Sequence, residues 1–187
     1  MKAATRQVDE KAILDSIFTF FVNSGLENVS IRELTRGTRL AQGTLYYWFG
    51  DKTNMICECT EYGLKKVADK IFDYVFANMN DLSGFFANCL NEIGKYKREF
   101  RFIYQMAASP VYGEKIREKG HDFNFIYDKY THKLSGVLSC DEEILRPLVY
   151  LFISAVLDYV IWEEKEKSQL QLDFIYSALP EMVKSRR

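Results

Sequence analysis

Apolar residues recur every three to four positions along most of the chain, which is the spacing of one face of an α-helix. Short polar breaks separate these stretches, and Gly25 and Pro110 mark two of them. A polar run at Lys97–Glu99 is predicted to break another stretch, and Pro147 is predicted to kink a later helix or trim its start. The pattern predicts an all-α chain with helices over residues 8–24, 30–37, 41–49, 52–78, 85–96, 100–108, 114–138, 148–162 and 172–182.

The stretch from Ser30 to Lys52 differs from its surroundings because it holds two short helices and a tight turn. Ser30 and Glu33 have the spacing of a capping box at the start of the first short helix. Val29 stands where a hydrophobic staple would fix the direction in which the chain enters that helix. The apolar residues predicted to close a small core under both helices are Leu34, Leu40, Leu45 and Phe49.

Those apolar anchors leave most of the second short helix facing water. The exposed residues would be Gln42, Gly43, Thr44, Tyr46, Tyr47 and Trp48. An aromatic face of this kind costs solubility unless a partner covers it. Glutamine can bond base edges, while hydroxyls and backbone amides can bond phosphate oxygens. The layout therefore indicates a helix-turn-helix whose second helix enters the DNA major groove.

Residues 12–56 resemble the N-terminal domain of TetR-type bacterial transcriptional regulators. The matching segments are Ile13-Leu14, Phe21, Gly25, Ser30-Ile31-Arg32-Glu33-Leu34 and Gly43-Thr44-Leu45-Tyr46-Tyr47 with Phe49 and Lys52. The resemblance implies a three-helix DNA-binding domain over 1–51 and a helical ligand-binding and dimerisation domain over 52–187. It implies DNA contacts from Ser30, Arg32, Arg39, Ala41, Gln42, Gly43, Thr44, Tyr46, Tyr47, Trp48 and Lys52.

Three positions depart from the pattern of that family. Arg39 stands at the turn position that usually holds glycine, so the turn is expected to be looser or differently shaped. Ala41 replaces the usual Ser or Thr, which removes a helix cap worth about 1 kcal/mol. Trp48 replaces a commoner His or Tyr.

The last two predicted helices carry more apolar surface than one core needs, since Leu148–Trp162 is apolar nearly all round. A two-fold dimer with a four-helix interface would bury the excess, and the resemblance implies the same assembly. The residues predicted in the interface are Leu148, Leu151, Phe152, Ala155, Tyr159, Trp162, Leu172, Ile175 and Leu179.

Aromatic residues make up 15% of the chain, which suggests a core enclosing an aromatic-lined cavity. Such a cavity with few charges would suit a small apolar or aromatic effector. The candidate lining residues are Phe86, Cys89, Tyr104, Met106, Phe123, Tyr127 and Tyr159. Phe and Tyr stripes at helical spacing are usually ordinary core, and that interpretation stays open beside the cavity.

Composition argues against several other classes. The four cysteines include Cys57 and Cys59 but no Cys-x-x-Cys pair, and the chain has two histidines, so neither a metal site nor a cofactor is expected. No nucleophile triad, Glu-x-x-His pair or phosphate loop appears, so we expect no enzyme. No signal peptide is visible and the longest apolar run contains Asp158, so a soluble cytoplasmic protein without a membrane span is expected.

The sequence thus favours a dimeric repressor that binds a palindromic operator in double-stranded DNA and is released by a small-molecule effector. The net charge of −1 means that the chain as a whole is not a basic nucleic-acid binder, but Arg32, Arg36, Arg39 and Lys52 cluster around the motif. Two alternatives stay open. One is an all-helical enzyme, and the other is a helical dimeric module that binds ligand or protein without DNA affinity, which Arg39 and Ala41 make conceivable.

Overall fold

The computed structural model describes residues 9–25, 29–118 and 124–184, and within them it confirms the all-α prediction. The helices are α1 Glu10–Ser24, α2 Ile31–Thr38, α3 Gln42–Phe49, α4 Lys52–Ala77, α5 Leu82–Ile93, α6 Lys97–Ala108, α7 Gly113–Glu118, α8 Asn124–Leu138, α9 Glu142–Trp162 and α10 Lys165–Lys184. A 3₁₀ turn, Gly94–Tyr96, joins α5 to α6.

The break predicted at Lys97–Glu99 is wrong, because these residues form the first turn of α6. Lys97, together with Arg101 of the same helix, contacts the C-terminal end of α9. Arg101 Nε donates to the carbonyl of Val160 at 2.9 Å, and the Lys97 ammonium lies 4.3 Å from the centre of the Tyr159 ring. Lys97 of the polar run and Arg101, one turn further along α6, therefore lie at the C-terminal end of α9, and the run does not end a helix.

The start predicted for α9 is also wrong, because the helix begins at Glu142 and carries Pro147 inside it. Asp141 caps it by accepting a hydrogen bond from the backbone N–H of Glu143 at 3.0 Å. Proline removes the hydrogen bond to the carbonyl four residues earlier, and Pro147 is exposed, so water can reach this part of the helix. A capped first turn thus lets the helix form ahead of the proline.

Among the described residues, α9 is the helix whose length of 21 residues and composition would suffice for a membrane span. Core helices of proteins without a membrane span can have the same length and composition. Here α9 packs against α8 and α10 and carries Glu142, Glu143, Arg146 and Asp158. Length and composition are therefore weak evidence for a span.

The contacts divide the chain into two units. Unit 1 comprises Met1–Leu64 and Phe102–Gly120, and unit 2 comprises Lys65–Arg101 and His121–Arg187. The predicted DNA-binding domain, residues 1–51, lies within unit 1, which also takes in the first half of α4 and the end of α6.

Unit 1 is built on an aromatic core. Phe18 meets the ring of Phe102 edge-on at 5.7 Å, and Phe21 stacks on Phe102 at 5.8 Å. Two glycines let helices approach α1 closely, since a Cβ at Gly63 would overlap the Phe18 ring and a Cβ at Gly37 would overlap the Phe20 ring. Both α4 and α2 therefore pack on α1 through positions without a side chain.

Unit 2 is a helical bundle in which α9 packs on α8 and α10, and α10 packs on α5. Ala155 is fully buried where helices meet. Gln169 Nε2 donates to the carbonyl of Phe86 at 2.9 Å, and Lys165 Nζ donates to Asn91 Oδ1 at 2.6 Å. These bonds fix α10 along α5 in addition to the apolar contacts.

We predict opposite stability effects for two Gly→Ala changes within helices. Gly63→Ala should lower the free energy of unfolding by about 1–3 kcal/mol, because its methyl group would overlap the buried Phe18 ring. Gly136→Ala, where a Cβ meets nothing within 4 Å, should raise it by up to about 1 kcal/mol through helix propensity. Urea unfolding measures both, and a stabilised Gly63→Ala variant would contradict this packing.

Candidate nucleic-acid interface and effector cavity

The start of α2 carries the predicted capping box. The backbone N–H of Glu33 donates to Ser30 Oγ at 3.2 Å, and the backbone N–H of Ser30 donates to Glu33 Oε2 at 2.8 Å. The Ser30 amide, followed by its hydroxyl, lowers the pKa of Glu33 below its ordinary value. Val29 and Leu34, which flank the cap, are both buried, as a hydrophobic staple requires.

The turn after α2 keeps a left-handed residue even though that residue is not glycine. Arg39 has φ 58° and ψ 21°, so the expectation of a looser turn is wrong. Thr38 Oγ1 donates to the carbonyl of Leu34 at 2.7 Å and accepts from the backbone N–H of Leu40 at 3.3 Å. These two bonds tie both sides of the turn and offset the roughly 1–2 kcal/mol that a left-handed residue costs.

Helix α3 turns an aromatic face to solvent, as predicted. Leu45 and Phe49 are buried at 0% and 3% exposure, whereas Tyr47 is 83% exposed. Tyr46 and Trp48 are 39% and 38% exposed. Gln42 and Gly43 are also exposed, and Thr44 is half-buried. The predicted anchor Leu40 is half-buried, whereas Leu34, Leu45 and Phe49 are buried. The Trp48 ring meets the Tyr47 ring edge-on at 5.9 Å, so the two side chains form one surface.

The first turn of α3 is open to an outside partner. Ala41 has the extended backbone of a cap residue but makes no side-chain cap bond. A Cβ at Gly43 would meet nothing within 4 Å, so nothing within the described part of the chain requires glycine there. A first turn without a side-chain cap and a bare backbone at Gly43 are features that suit a close-approaching phosphate.

The other predicted DNA-contacting residues lie on the same part of unit 1. Ser30, Arg32 and Ala41 are exposed, and Arg39 lies at the left-handed turn between α2 and α3. Lys52 differs, because it is half-buried and its Nζ donates to the backbone carbonyl of Val29 at 2.6 Å.

The predicted effector residues are divided between the two units. Tyr104 and Met106 belong to unit 1, while Phe86, Cys89, Tyr127 and Tyr159 belong to unit 2. Phe123 lies outside the described residues. Cys89 Sγ lies 3.7 Å from the Phe86 carbonyl oxygen, Tyr127 stacks on Tyr150 at 4.2 Å, and Tyr159 lies under Lys97.

Unit 2 does hold an apolar cavity of about 70 Å³. Of the predicted set only Phe86 lines it. The lining residues are Phe72, Val75, Met79, Leu82, Phe85, Phe86, Leu134, Leu138, Leu145, Leu148, Val149, Phe152, Ile175 and Leu179. Sequence reasoning missed most of them because an aliphatic residue beside a cavity has the same helical spacing as one in a filled core.

One wall of the cavity belongs to a cluster that joins α4 to α8, which we call the α4–α8 clasp: Asp69, Phe72, Lys129 and Tyr130. The Phe72 ring stacks on the Tyr130 ring at a centroid distance of 3.5 Å. The Tyr130 hydroxyl donates to Asp69 Oδ1, and Lys129 Nζ lies 2.7 Å from the same oxygen. A cavity-lining ring is therefore linked, through Tyr130, to a carboxylate of α4.

The protonation states of the clasp favour these bonds. Burial, followed by the bond to Asp69, raises the pKa of Tyr130 well above its ordinary value, so its phenol keeps the proton that it donates. Burial alone would raise the pKa of Asp69, but the hydrogen bonds from Lys129 and Tyr130 outweigh it and lower that pKa. Asp69 thus contributes stability above its ordinary pKa, and this contribution is lost as the pH falls through the lowered value.

The predicted dimer residues are divided between core and surface. Leu148, Ala155, Tyr159, Leu172 and Ile175 are at most 8% exposed within unit 2, so their side chains offer a partner almost no surface. Phe152 and Leu179 are half-buried beside the cavity. Leu151 and Trp162 are exposed at 48% and 69%.

Two exposed apolar residues on α10 were missed by the sequence pattern. Leu170 and Phe174 are 69% and 66% exposed. They line a groove of about 470 Å³ between α9 and α10 together with Leu151, Ser154, Gln171 and Ile175. Leu170 and Phe174 are spaced four residues apart, and this spacing was the available signal for a second apolar face on α10.

We predict that changes at the capping residues of α2 and α3 shift the free energy of unfolding in opposite directions. Ser30→Ala should lower the free energy of unfolding by about 1 kcal/mol, because it removes the capping oxygen. Ala41→Ser should raise it by a similar amount, since the extended backbone at this residue already suits a cap. Thermal or urea unfolding measures both changes, and equal stability of all three proteins would contradict the capping geometry.

Two solved structures share this fold over nearly the whole chain. A proposed tetR family transcription regulator from Shewanella sp. PV-4 matches with a TM-score of 0.58 and 17% identity, covering 91% of this chain and 98% of that chain. A TetR-like transcriptional regulator from Rhodococcus sp. RHA1 matches with a TM-score of 0.54 and 15% identity, covering 95% of this chain and 99% of that chain. No family model and no curated protein matches the sequence. The chain therefore has the all-α fold of TetR-type transcription regulators.

Proposed function

We propose that this protein is a DNA-binding transcriptional regulator whose α3 enters the major groove. The observation that carries the proposal is the exposed face of α3, where Tyr47 is 83% exposed while Leu45 and Phe49 hold the opposite face in the core. The likeness in fold to transcription regulators supports it.

The residues of this surface divide by the part of DNA that each can contact. Gln42 is suited to a base edge in the groove. The hydroxyls of Thr44, Tyr46 and Tyr47 and the first-turn amides of α3 are suited to phosphate oxygens, as are the guanidinium groups of Arg32 and Arg39. The open space at Gly43 allows DNA to approach the helix backbone.

The regulator acts as a two-fold dimer in this proposal. The exposed faces of α9 and α10, centred on Leu151, Leu170 and Phe174, would meet the same faces of a second copy. Two recognition helices in one dimer would read a palindromic operator with half-sites one helical turn apart, or about 34–36 Å.

The regulator is a repressor that a small apolar or aromatic effector releases in this proposal. The cavity supports the apolar character, since its lining is wholly apolar side chains. Its volume of about 70 Å³ is far below the roughly 300–1,000 Å³ of common ligand pockets, so a larger effector would have to displace lining side chains. Phe72 is the side chain through which such a displacement would reach the α4–α8 clasp.

Helix α4 would carry the signal in this mechanism. Its residues 65–77 belong to unit 2 and include the clasp residues Asp69 and Phe72, while residues 52–64 belong to unit 1. An effector that shifts Phe72 would loosen Tyr130 from Asp69 and change the pose of α4. A coupling of about 1–3 kcal/mol is typical of such switches.

We predict that two changes on α3 weaken DNA binding without harming the fold. Tyr47→Ala should lower affinity about 5- to 150-fold, the equivalent of about 1–3 kcal/mol, because it removes an exposed contact. Gly43→Ala should also lower affinity, because its methyl group would meet the groove wall, although helix propensity predicts equal or greater stability.

Fluorescence anisotropy measures these affinities on a duplex taken from the DNA upstream of the protein's own coding sequence. Val111 is exposed in unit 1 and lies far from α3 in the sequence. The Val111→Ala variant is therefore the matched control, and it should bind DNA as the wild type does. The proposal loses its support if Tyr47→Ala and Gly43→Ala bind as tightly as the wild type does.

We predict that Phe174→Asp converts the dimer to a monomer, because a carboxylate would be buried without a partner at the centre of the apolar groove. Val137→Asp is the matched control, since Val137 is 56% exposed on α8 and outside that groove. Sedimentation equilibrium measures the mass of each. A dimeric Phe174→Asp variant, or a monomeric wild type, would contradict the proposed interface.

We predict that Tyr130→Phe weakens DNA binding about five-fold or more in the absence of effector, because it releases Asp69 while keeping the ring stack on Phe72. Tyr150→Phe on α9 is the control and should leave affinity unchanged. The same anisotropy assay applies, with sedimentation to verify the dimer. Wild-type affinity in Tyr130→Phe would show that the clasp plays no part in coupling.

A further inference from the structure

Lys52 occupies a position where a cation is electrostatically unfavourable. It is the first residue of α4, and Asp51 before it accepts a hydrogen bond from the backbone N–H of Asn54 at 2.8 Å. The N-terminus of a helix carries partial positive charge, which favours anions and disfavours an ammonium group. A lysine at this position therefore needs a partner that offsets the repulsion.

The structure provides that partner within the chain. Lys52 Nζ donates to the backbone carbonyl of Val29 at 2.6 Å, across 23 positions of sequence. The bond is charge-assisted and short, which marks it as one of the stronger hydrogen bonds that a side chain can make to a backbone oxygen. The half-buried setting of Lys52 reduces competition from water.

The acceptor lies at a junction that matters for the recognition helix. Val29 directly precedes Ser30, the cap of α2, and the Ser30 amide is held by Glu33. Lys52 and Arg36 add their positive charges to the Ser30 hydrogen bonds that lower the pKa of Glu33. The beginning of α2 is thereby bonded to the beginning of α4.

The same bond closes a loop around α3. The chain runs from Val29 through α2, the turn at Arg39 and α3, and returns through Gly50 to Lys52. Joining the two ends of this segment limits how far α2 and α3 can rotate together. The pose of the exposed face of α3 then depends on the bond between Lys52 and Val29.

We propose that Lys52 is a positioning residue, which sets the pose of α2 and α3 by holding the Val29 carbonyl and does not bind a DNA phosphate. The inference rests on the proposed function for its DNA measurement only. It differs from the phosphate contact that the sequence resemblance implies for Lys52, and the two roles predict different responses to salt.

The first experiment compares the wild type, Lys52→Met and Arg39→Met for DNA affinity between about 50 and 200 mM KCl. Lys52→Met should lose affinity about ten-fold or more at every salt concentration with an unchanged slope of log Kd against log salt. Arg39→Met supplies the comparison, because loss of a phosphate contact reduces the magnitude of that slope by about 0.9 per contact. A reduced slope in Lys52→Met, or an unchanged affinity, would overturn the proposal.

The second experiment needs no DNA and so separates this inference from the proposed function. Amide hydrogen exchange of the free protein should be faster in Lys52→Met for the backbone N–H groups of Ser30, Glu33 and Leu34, which depend on the start of α2. Exchange in α5 of unit 2 should match the wild type. Unchanged exchange at the start of α2 would overturn the positioning role even if Lys52→Met weakens DNA binding.

Discussion

The burial of Leu45 and Phe49 is the constraint on which the proposed site depends. Helix α3 has eight residues, which is too few to form a stable helix in water without tertiary packing. The two buried side chains lie four residues apart on one face, so they fix the rotation of the helix about its axis. Tyr47 lies between them in sequence, and the helical period places it on the opposite face. The packing that forms α3 therefore also exposes its aromatic surface.

Local features of unit 1 could be predicted from the sequence where a pair or spacing of residues is typical of a single structure. A serine with a glutamate three residues later formed the capping box, and the exposure of Tyr46 and Tyr47 followed from the apolar spacing. The turn at Arg39 could not be predicted in this way, because a residue's own preference was outweighed by the two hydrogen bonds of Thr38. That retained turn removes one of the two reasons for considering a module without DNA affinity.

Unit 2 was less predictable because its helices are apolar on most sides. Ala155 is buried and Leu151 is exposed, but both count as apolar positions in the sequence pattern. The pattern therefore does not distinguish them. Only the arrangement of α5, α8, α9 and α10 decides which face meets the core and which meets solvent. For the same reason the lining of the cavity could not be predicted, since spacing along one helix does not show which side chains converge from several helices.

Selection of bound duplexes from a random-sequence pool by the purified chain tests the central claim most directly, because the pool contains candidate operators of every sequence. The account predicts enrichment of a palindromic consensus with half-sites about 10 base pairs apart or a multiple of that, which Tyr47→Ala fails to enrich. A pool that stays random for the wild type, or a consensus that Tyr47→Ala enriches equally well, would contradict the assignment of the α3 face to DNA.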